Sequence, residues 1–406
     1  LRPTPIIATM RRMTQEGEQA EKTARFVIGT MTGTSIDGDL DAALVAIEGR
    51  GLTLRARFVA GHSHPLGSLT NDLRRVAAQE PLSAEDFARI AHAFGEVHAE
   101  ALTALANATG IVPDLAVLHG QTVFHAPPLT WQLLNPWPVA VRLGCRVRYD
   151  LRSANVASGG QGAPITPLAD FVLFATDTPA IVMNLGGFIN ATLVPARHMQ
   201  IDAIRGFDVC ACNHLLDRVA QSRLGVAFDE DGAVAATGSI DCVARDLISH
   251  AIAPPHDLAK QHALRGAPRR SLGTGDEAAR LVMQTDHLAP ADACHTVVDA
   301  IADAATRVLF EEFTDLHTAG TRLILAGGSA RNRALQAAFA RRWTATVQTT
   351  TESHEIPVNM REAAEMAILG ALADDGVSIT LPQVTGAPSA ALDSALIERR
   401  KISGKI

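Results

Sequence analysis

Residues 25–47, RFVIGTMTGTSIDGDLDAALVAI, read as an apolar strand, a polar glycine loop and a second apolar strand. Phe26-Val27-Ile28 is a run of strand formers, Gly29 to Ser35 mixes glycine with hydroxyl side chains, and Ala42 to Ile47 is apolar again. The plan returns at residues 180–194, AIVMNLGGFINATLV, where Ile181-Val182-Met183 leads into Asn184-Leu185-Gly186-Gly187 and then Phe188 to Val194. Two such hairpins about 150 residues apart point to two copies of one supersecondary unit, because a solenoid would repeat at a much shorter period.

Helical periodicity follows each hairpin. Residues 83–106 begin with Ser83 as N-cap and Asp86 three positions on, the pattern of a capping box, and then place apolar residues at helical spacing. Asp114–His119 reads as a strand and Leu168–Ala175 as a helix joining the halves. Further on, Cys294–Phe313, Asn332–Trp343 and Glu362–Ala373 read as helices and Arg322–Ala326 as a strand. Alternating strands and helices predict an α/β protein of two related lobes with a cleft between them.

Composition limits what such a protein does. At about 150 residues per domain, 406 residues allow two large domains. Hydrophobic residues at 47% and charged residues at 19% give ample material for cores, which excludes a disordered chain. Aromatics are only 4%, with one Tyr and three Trp, too few for a base-stacking platform. A net charge of −7 offers no general attraction to nucleic acid or anionic lipid, so phosphate is expected to be held locally by backbone groups. The longest uncharged stretch, Leu115–Val141, is broken by prolines, histidines and amides and does not suit a membrane span. Residues 1–24 lack periodicity and an apolar signal core, so a flexible leader is expected there. Five cysteines in a chain this long do not form a disulfide framework, and a cytoplasmic protein with reduced thiols is expected.

Three glycine sites carry phosphate-binding ingredients. In Gly29–Gly38, glycines allow close backbone approach, Thr34 and Ser35 offer hydroxyls, and Asp37 can hold a divalent cation next to phosphate oxygens. No Gly-Lys-Ser/Thr follows, so this is not a Walker loop. Gly186-Gly187 and Gly327-Gly328 each end a strand in a glycine pair with Asn nearby, and the latter opens a helix whose start, near Asn332, could receive an anion. Any one of these could be a plain turn; three in one two-lobed chain suggest phosphate loops facing a cleft. Cys210-x-Cys212-x-His214 has the residue types of a zinc site, but no fourth ligand is spaced nearby and small buried side chains are the expected reading.

Taken in order, these segments resemble the anhydro-N-acetylmuramic acid kinases of the sugar kinase and actin superfamily. The resemblance runs from Arg25 to about Leu392 and rests on Gly29–Gly38, His119–Pro127, Gly159–Pro164, Asn184–Asn190, Gly206-Phe207-Asp208, Gly327–Asn332, Glu362-Ala363 and Leu381–Ala387. It implies two actin-like (ribonuclease H-like) lobes with a nucleotide cleft between them, ATP and Mg2+ as cofactors, and a homodimer. It further implies that a small-molecule anhydrosugar, 1,6-anhydro-N-acetylmuramic acid, is opened by water and phosphorylated on O6 to N-acetylmuramic acid 6-phosphate during cell-wall recycling. Carried over position by position, Asp208 is the base that activates water. Gly33, Thr34, Ser35, Asp37, Gly38, Gly186, Gly187, Gly327, Gly328 and Asn332 face ATP, with Asp37 on the metal, and Gln121, His125, Asn213 and Glu362 line the sugar.

The chain departs from that pattern in places. After Asp208 it reads Val209-Cys210-Ala211-Cys212 where the family has Thr, Gly, Pro and Gly, which adds Cβ atoms where close approach or a positive φ is expected. A kinase for another 1,6-anhydrosugar, or an impaired nucleotide-binding sensor or scaffold, are the readings this leaves open. Asp41 lies four residues after Asp37 where the family's next Asp lies three after. Asp170 stands where many relatives carry His, and Pro268–Gly273 is an altered form of a basic family segment without an assigned role. The expected organisation is a leader 1–24, a first lobe 25–168 with 371–406, and a second lobe 169–370.

Overall fold

The computed structural model describes residues 24–33, 36, 38–253, 275–313, 320–343, 348–387 and 393–398. The leader, Thr34, Ser35, Asp37 and Pro268–Gly273 therefore lie outside the described residues. The chain divides into two compact units, one reaching Phe174 and resuming at Met360, the other Ala175–Asn359.

The first unit is built on strands β1 (Arg25–Met31), β2 (Asp39–Glu48), β3 (Arg55–Pro65) and β4 (Leu115–Leu118). A two-stranded hairpin of β5 (Gln121–Ala126) and β6 (Leu129–Leu133) follows, and then β7 (Arg146–Tyr149). Its helices are α1 (Leu69–Ala77), α2 (Ala84–Thr109), α3 (Trp137–Leu143), α4 (Ser153–Ala157) and α5 (Pro167–Phe174). The second unit contributes β8 (Ala180–Leu185), β9 (Phe188–Val194), β10 (Arg205–Ala211), α6 (Asn213–Leu224), α7 (Cys242–Ile252), α8 (Gly275–Val282) and α9 (Pro290–Glu312). It is completed by β11 (Arg322–Ala326), α10 (Arg333–Arg342) and β12 (Gln348–Thr350), after which α11 (Arg361–Asp374), α12 (Pro382–Thr385) and β13 (Ala395–Ile397) return to the first.

The two main sheets share one plan. In the first the order is β13-β7-β4-β1-β2-β3, with β1, β2 and β3 antiparallel and β4 and β7 parallel to β1. In the second the order is β10-β9-β8-β11-β12, with β8, β9 and β10 antiparallel and β11 and β12 continuing parallel to β8. This is the ribonuclease H-like arrangement twice over, and it bears out the duplicated α/β lobes expected from the two glycine hairpins.

Local sequence explains the elements. Ser83 caps α2 with a complete capping box: its hydroxyl accepts from the Asp86 amide and the Asp86 carboxylate accepts from the Ser83 amide. Gly110, in the left-handed conformation, ends that helix. One face of the first sheet packs Ile28, Leu44, Ala116 and Val147 against Ala99, Leu102 and Leu105 of α2. On β1, β2 and β4 lies α11, brought close by two glycines. A Cβ at Gly29 would stand 2.1 Å from the Ala363 carbonyl oxygen, and one at Gly370 would stand 2.2 Å from Val117 Cγ2. The returning segment is tied down by charge: Arg25 holds Asp375 through two bonds of 2.8 Å, and Arg146 and Arg148 each reach Asp374 at 2.7 Å. The core of the second unit gathers Ile181, Met183 and Leu185 of β8 with Val297, Val298 and Ile301 of α9 and Leu335 and Phe339 of α10.

Candidate active site

In the first unit the glycine loop begins later than the sequence suggests, because β1 continues through Gly29 and Thr30 to Met31. Thr32 Oγ1 then donates to Gln121 Oε1 at 2.8 Å, so the buried Gln121 side chain holds the start of the loop. Gly33 is exposed and its carbonyl accepts from the Ile36 amide, closing a turn. Ile36 sits at φ 52, a left-handed conformation costly for a branched residue. It is held there by its side chain, buried with Leu40, Leu69 and Leu73, and by Arg74, whose Nη2 donates to the Ile36 carbonyl at 2.8 Å. Gly38, at φ 110, accepts from the Leu66 amide. These contacts hold Gly33, Ile36 and Gly38, the described residues of the loop. Asp41 lies on β2 and accepts from Ser63 on β3.

A second group in the same unit centres on Arg152, which sequence reading did not single out. Arg152 Nε donates to His119 Nε2 at 3.0 Å and Nη1 donates to the Gly162 carbonyl at 2.8 Å. Accepting that bond leaves His119 neutral with its proton on Nδ1; burial, then Arg152 and His98, push its pKa well below the ordinary range. His125 is exposed, hydrogen-bonds Thr130 at 2.9 Å, and is lowered by partial burial and by Arg152. Asn155 shapes the Gly159–Pro164 loop: Oδ1 accepts from the Gly162 amide at 2.8 Å and Nδ2 donates to Thr385 at 2.9 Å. Through that bond the Leu381–Ala387 motif acts as a buttress. Glu362 opens α11, and burial raises its pKa against the opposing pull of Arg361 and Arg152. Gln121, His125 and Glu362 therefore belong to one unit, Gln121 as a loop brace.

In the second unit the motifs converge. The Gly186 and Gly187 carbonyls accept from the amides of Asn213 and Cys212, and Ser329 Oγ donates to Asn213 Oδ1. Gly327, at φ 81, has no room for a side chain, since a Cβ would stand 2.7 Å from Asn184 Oδ1. Gly328 is exposed, with open space where its Cβ would be, and so offers backbone to an incoming phosphate. Asn332 is spent on the helix: its Oδ1 accepts from the Leu335 amide at 2.9 Å as the N-cap of α10. The cradle is therefore the backbone of Gly327–Ser329, with Asn332 fixing the turn beneath it.

Asp208 lies exposed on β10 opposite Asn190, which lies opposite Asn184, which in turn neighbours Ala326 just before Gly327. Residues in register across adjacent strands share a face, so an acid and two amides form a polar row ending at the glycine cradle. A bulge at Val209 breaks the alternation of β10 immediately after Asp208. As a result Cys210 and Cys212 turn into the core, 5% and 0% exposed, while Asp208 stays outside. Neither cysteine has a positive φ. Burial drives the Cys210 thiol up to about 12 and Cys212 well above its ordinary value. The His214 ring lies over Gly187 and edge-on to Phe188. Among the described residues no group of three or more His, Cys, Asp or Glu could hold a metal ion. Magnesium does not need one, since it takes one or two carboxylates together with phosphate oxygens and water.

A family model described as "Anhydro-N-acetylmuramic acid kinase" matches residues 25–398. Curated relatives carry the same description. One from Salinibacter ruber is 31% identical over 90% of this chain and 94% of its own. One from Chromohalobacter salexigens is 34% identical over 89% and 96%, and one from Bordetella pertussis is 33% identical over 94% and 98%.

Proposed function

The chain belongs to the anhydro-N-acetylmuramic acid kinase family, and on that premise we propose that it uses water and ATP to convert 1,6-anhydro-N-acetylmuramic acid into N-acetylmuramic acid 6-phosphate, with Asp208 as the base. The observation that carries the assignment is the exposed carboxylate at the β10 bulge, at one end of a cross-strand row through Asn190 and Asn184 whose other end is the strand leading to Gly327-Gly328. Asp208 takes a proton from the water that attacks C1, and the O6 freed by ring opening accepts the phosphoryl group. ATP supplies that group, and Mg2+ offsets charge on it. Gly186, Gly187, Gly327 and Gly328 present backbone to the nucleotide, and Gly33, Thr34, Ser35, Asp37 and Gly38 form the other phosphate loop, with Asp37 as the metal carboxylate. His125, Asn213 and Glu362 face the sugar, and Arg152 joins them as the cation whose charge acts on both His125 and Glu362. Dimeric assembly and a cytoplasmic location belong to the same reading. Supporting the location, the five cysteines are free.

The inward turn of Cys210 and Cys212 favours the muramic substrate over the two other readings, because the replaced glycines add no bulk on the Asp208 side. Incubation with magnesium-ATP and a panel of 1,6-anhydrosugars, following ADP and sugar phosphate, tests this. Asp208→Asn is expected to lose at least about 10³-fold in kcat while ATP binding is retained. Undiminished turnover removes Asp208 from the role, and product from levoglucosan-like sugars alone transfers the activity to another substrate.

A further inference from the structure

Directly behind Glu362 lies a charge cluster that this reading does not use. Arg361 is 2% exposed, and its Nη1 donates to Asp170 Oδ1 on α5 at 2.6 Å and to Glu365 Oε1, one helical turn along α11, at 2.7 Å. All three side chains are buried, and Arg361 Nε and Glu365 Oε2 find no hydrogen-bond partner among the described residues. A single guanidinium held by acids on two helices costs several kcal/mol in desolvation, and removing one partner from such a cluster is strongly disruptive.

We propose that Asp170, Arg361 and Glu365 form a positioning unit that fixes the first turn of α11 and thereby aims Glu362 at the sugar. The inference rests on the reading of Glu362 as a sugar contact. Arg361 immediately precedes Glu362, and its anchor on α5 lies outside α11, so rotation of the turn breaks the Asp170 bond. Translation is blocked on the opposite side, where the Ala363 carbonyl and Ala367 amide already lie 2.1 and 2.5 Å from where a Gly29 Cβ would stand. The strand so gripped is β1, so the first turn of α11 is held between α5 on one side and the first sheet on the other. The charges facing Glu362 are Arg361 and Arg152, which favour its ionised form, and Asp170, which opposes it. Burial pushes Glu365 well above the carboxylate range, against the pull of Arg361.

The test is a double-mutant cycle in the intact enzyme. Asp170→Asn and Arg361→Met are expected to raise the KM for the anhydrosugar about 10-fold, with kcat and the KM for ATP within about twofold, and Arg361→Lys to recover part of the loss. If Asp170 acts through Glu362, Asp170→Asn/Glu362→Gln binds sugar no worse than Glu362→Gln alone. Multiplying effects in the double variant, or parallel rises in both KM values, overturn the positioning role. A raised sugar KM in Glu362→Gln with an unchanged one in Asp170→Asn overturns this inference and leaves the site reading standing. An unchanged sugar KM in Glu362→Gln overturns the site reading itself. Should Asp170→Asn fail to fold, Arg361→Lys carries the same cycle.

Discussion

Burial makes ionisation of Glu365 unfavourable, and its isosteric amide isolates that property. In the folded protein its pKa is raised by burial, by Asp170 and by Glu362, against the pull of Arg361. The folded state therefore binds a proton that the unfolded chain releases above about pH 4.3. Stability is fully present below that pH and is lost as pH rises toward the folded pKa. Glu365→Gln removes the proton uptake, so its Tm relative to the parent is expected to climb steadily from pH 5 to pH 9; a difference independent of pH would show that Glu365 is ionised in the fold. Asp208 was legible in the sequence because a short motif encloses it. The clamp was not, since Asp170 and Arg361 are 191 positions apart and each alone reads as a helix-surface charge. Arg152 escaped for the same reason, its partners His119 and Gly162 lying on other loops. The burial of Cys210 and Cys212 was the expected reading and is what the fold shows, whereas the bulge at Val209 was hidden, because a one-residue shift of alternation leaves no compositional trace.

Among the elements, β1 and α11 show what a glycine signal conceals. Glycine at position 29 reads as the start of a loop, yet it lies inside a strand where a helix backbone comes too close for a Cβ. Gly29→Ala is expected to cost about 2–4 kcal/mol in urea denaturation, because the obstructing atoms are backbone and cannot turn aside. Gly186→Ala, whose Cβ would meet its neighbours at an ordinary 3.6 Å, is the contrast, expected within about 1 kcal/mol. Equal losses would remove the close-approach argument. Where capping chemistry was explicit the reading succeeded: Ser83 and Asp86 fixed the start of α2, whereas the role of Asn332 as N-cap of α10 was not read from the sequence. The β5–β6 hairpin was not read from the sequence, because its register depends on strand pairing that local composition does not encode.

Across the whole molecule, the duplication was visible in two glycine hairpins, and the repeated strand order shows what they begin. The limits of each unit were harder to see. Helix α11 follows the second unit in the chain but packs on β1, β2 and β4 of the first, a choice made by long-range contact. Every buried residue of the second core, from Ile181 to Val358, lies between Ala175 and Asn359. A fragment of residues 175–359 is therefore expected to unfold cooperatively on heating with a native-like far-UV circular dichroism spectrum, and a gradual melt would show that it depends on the remainder of the chain.

The same interruption orders events during synthesis. β1, β2 and β4 leave the ribosome early, but the helix that covers them is encoded after the entire second unit. At roughly 5–20 residues per second, the uncovered sheet face waits on the order of ten to forty seconds for α11. The second unit is thus finished first, and throughout the delay the face of β1, β2 and β4 that α11 covers stays without its partner helix.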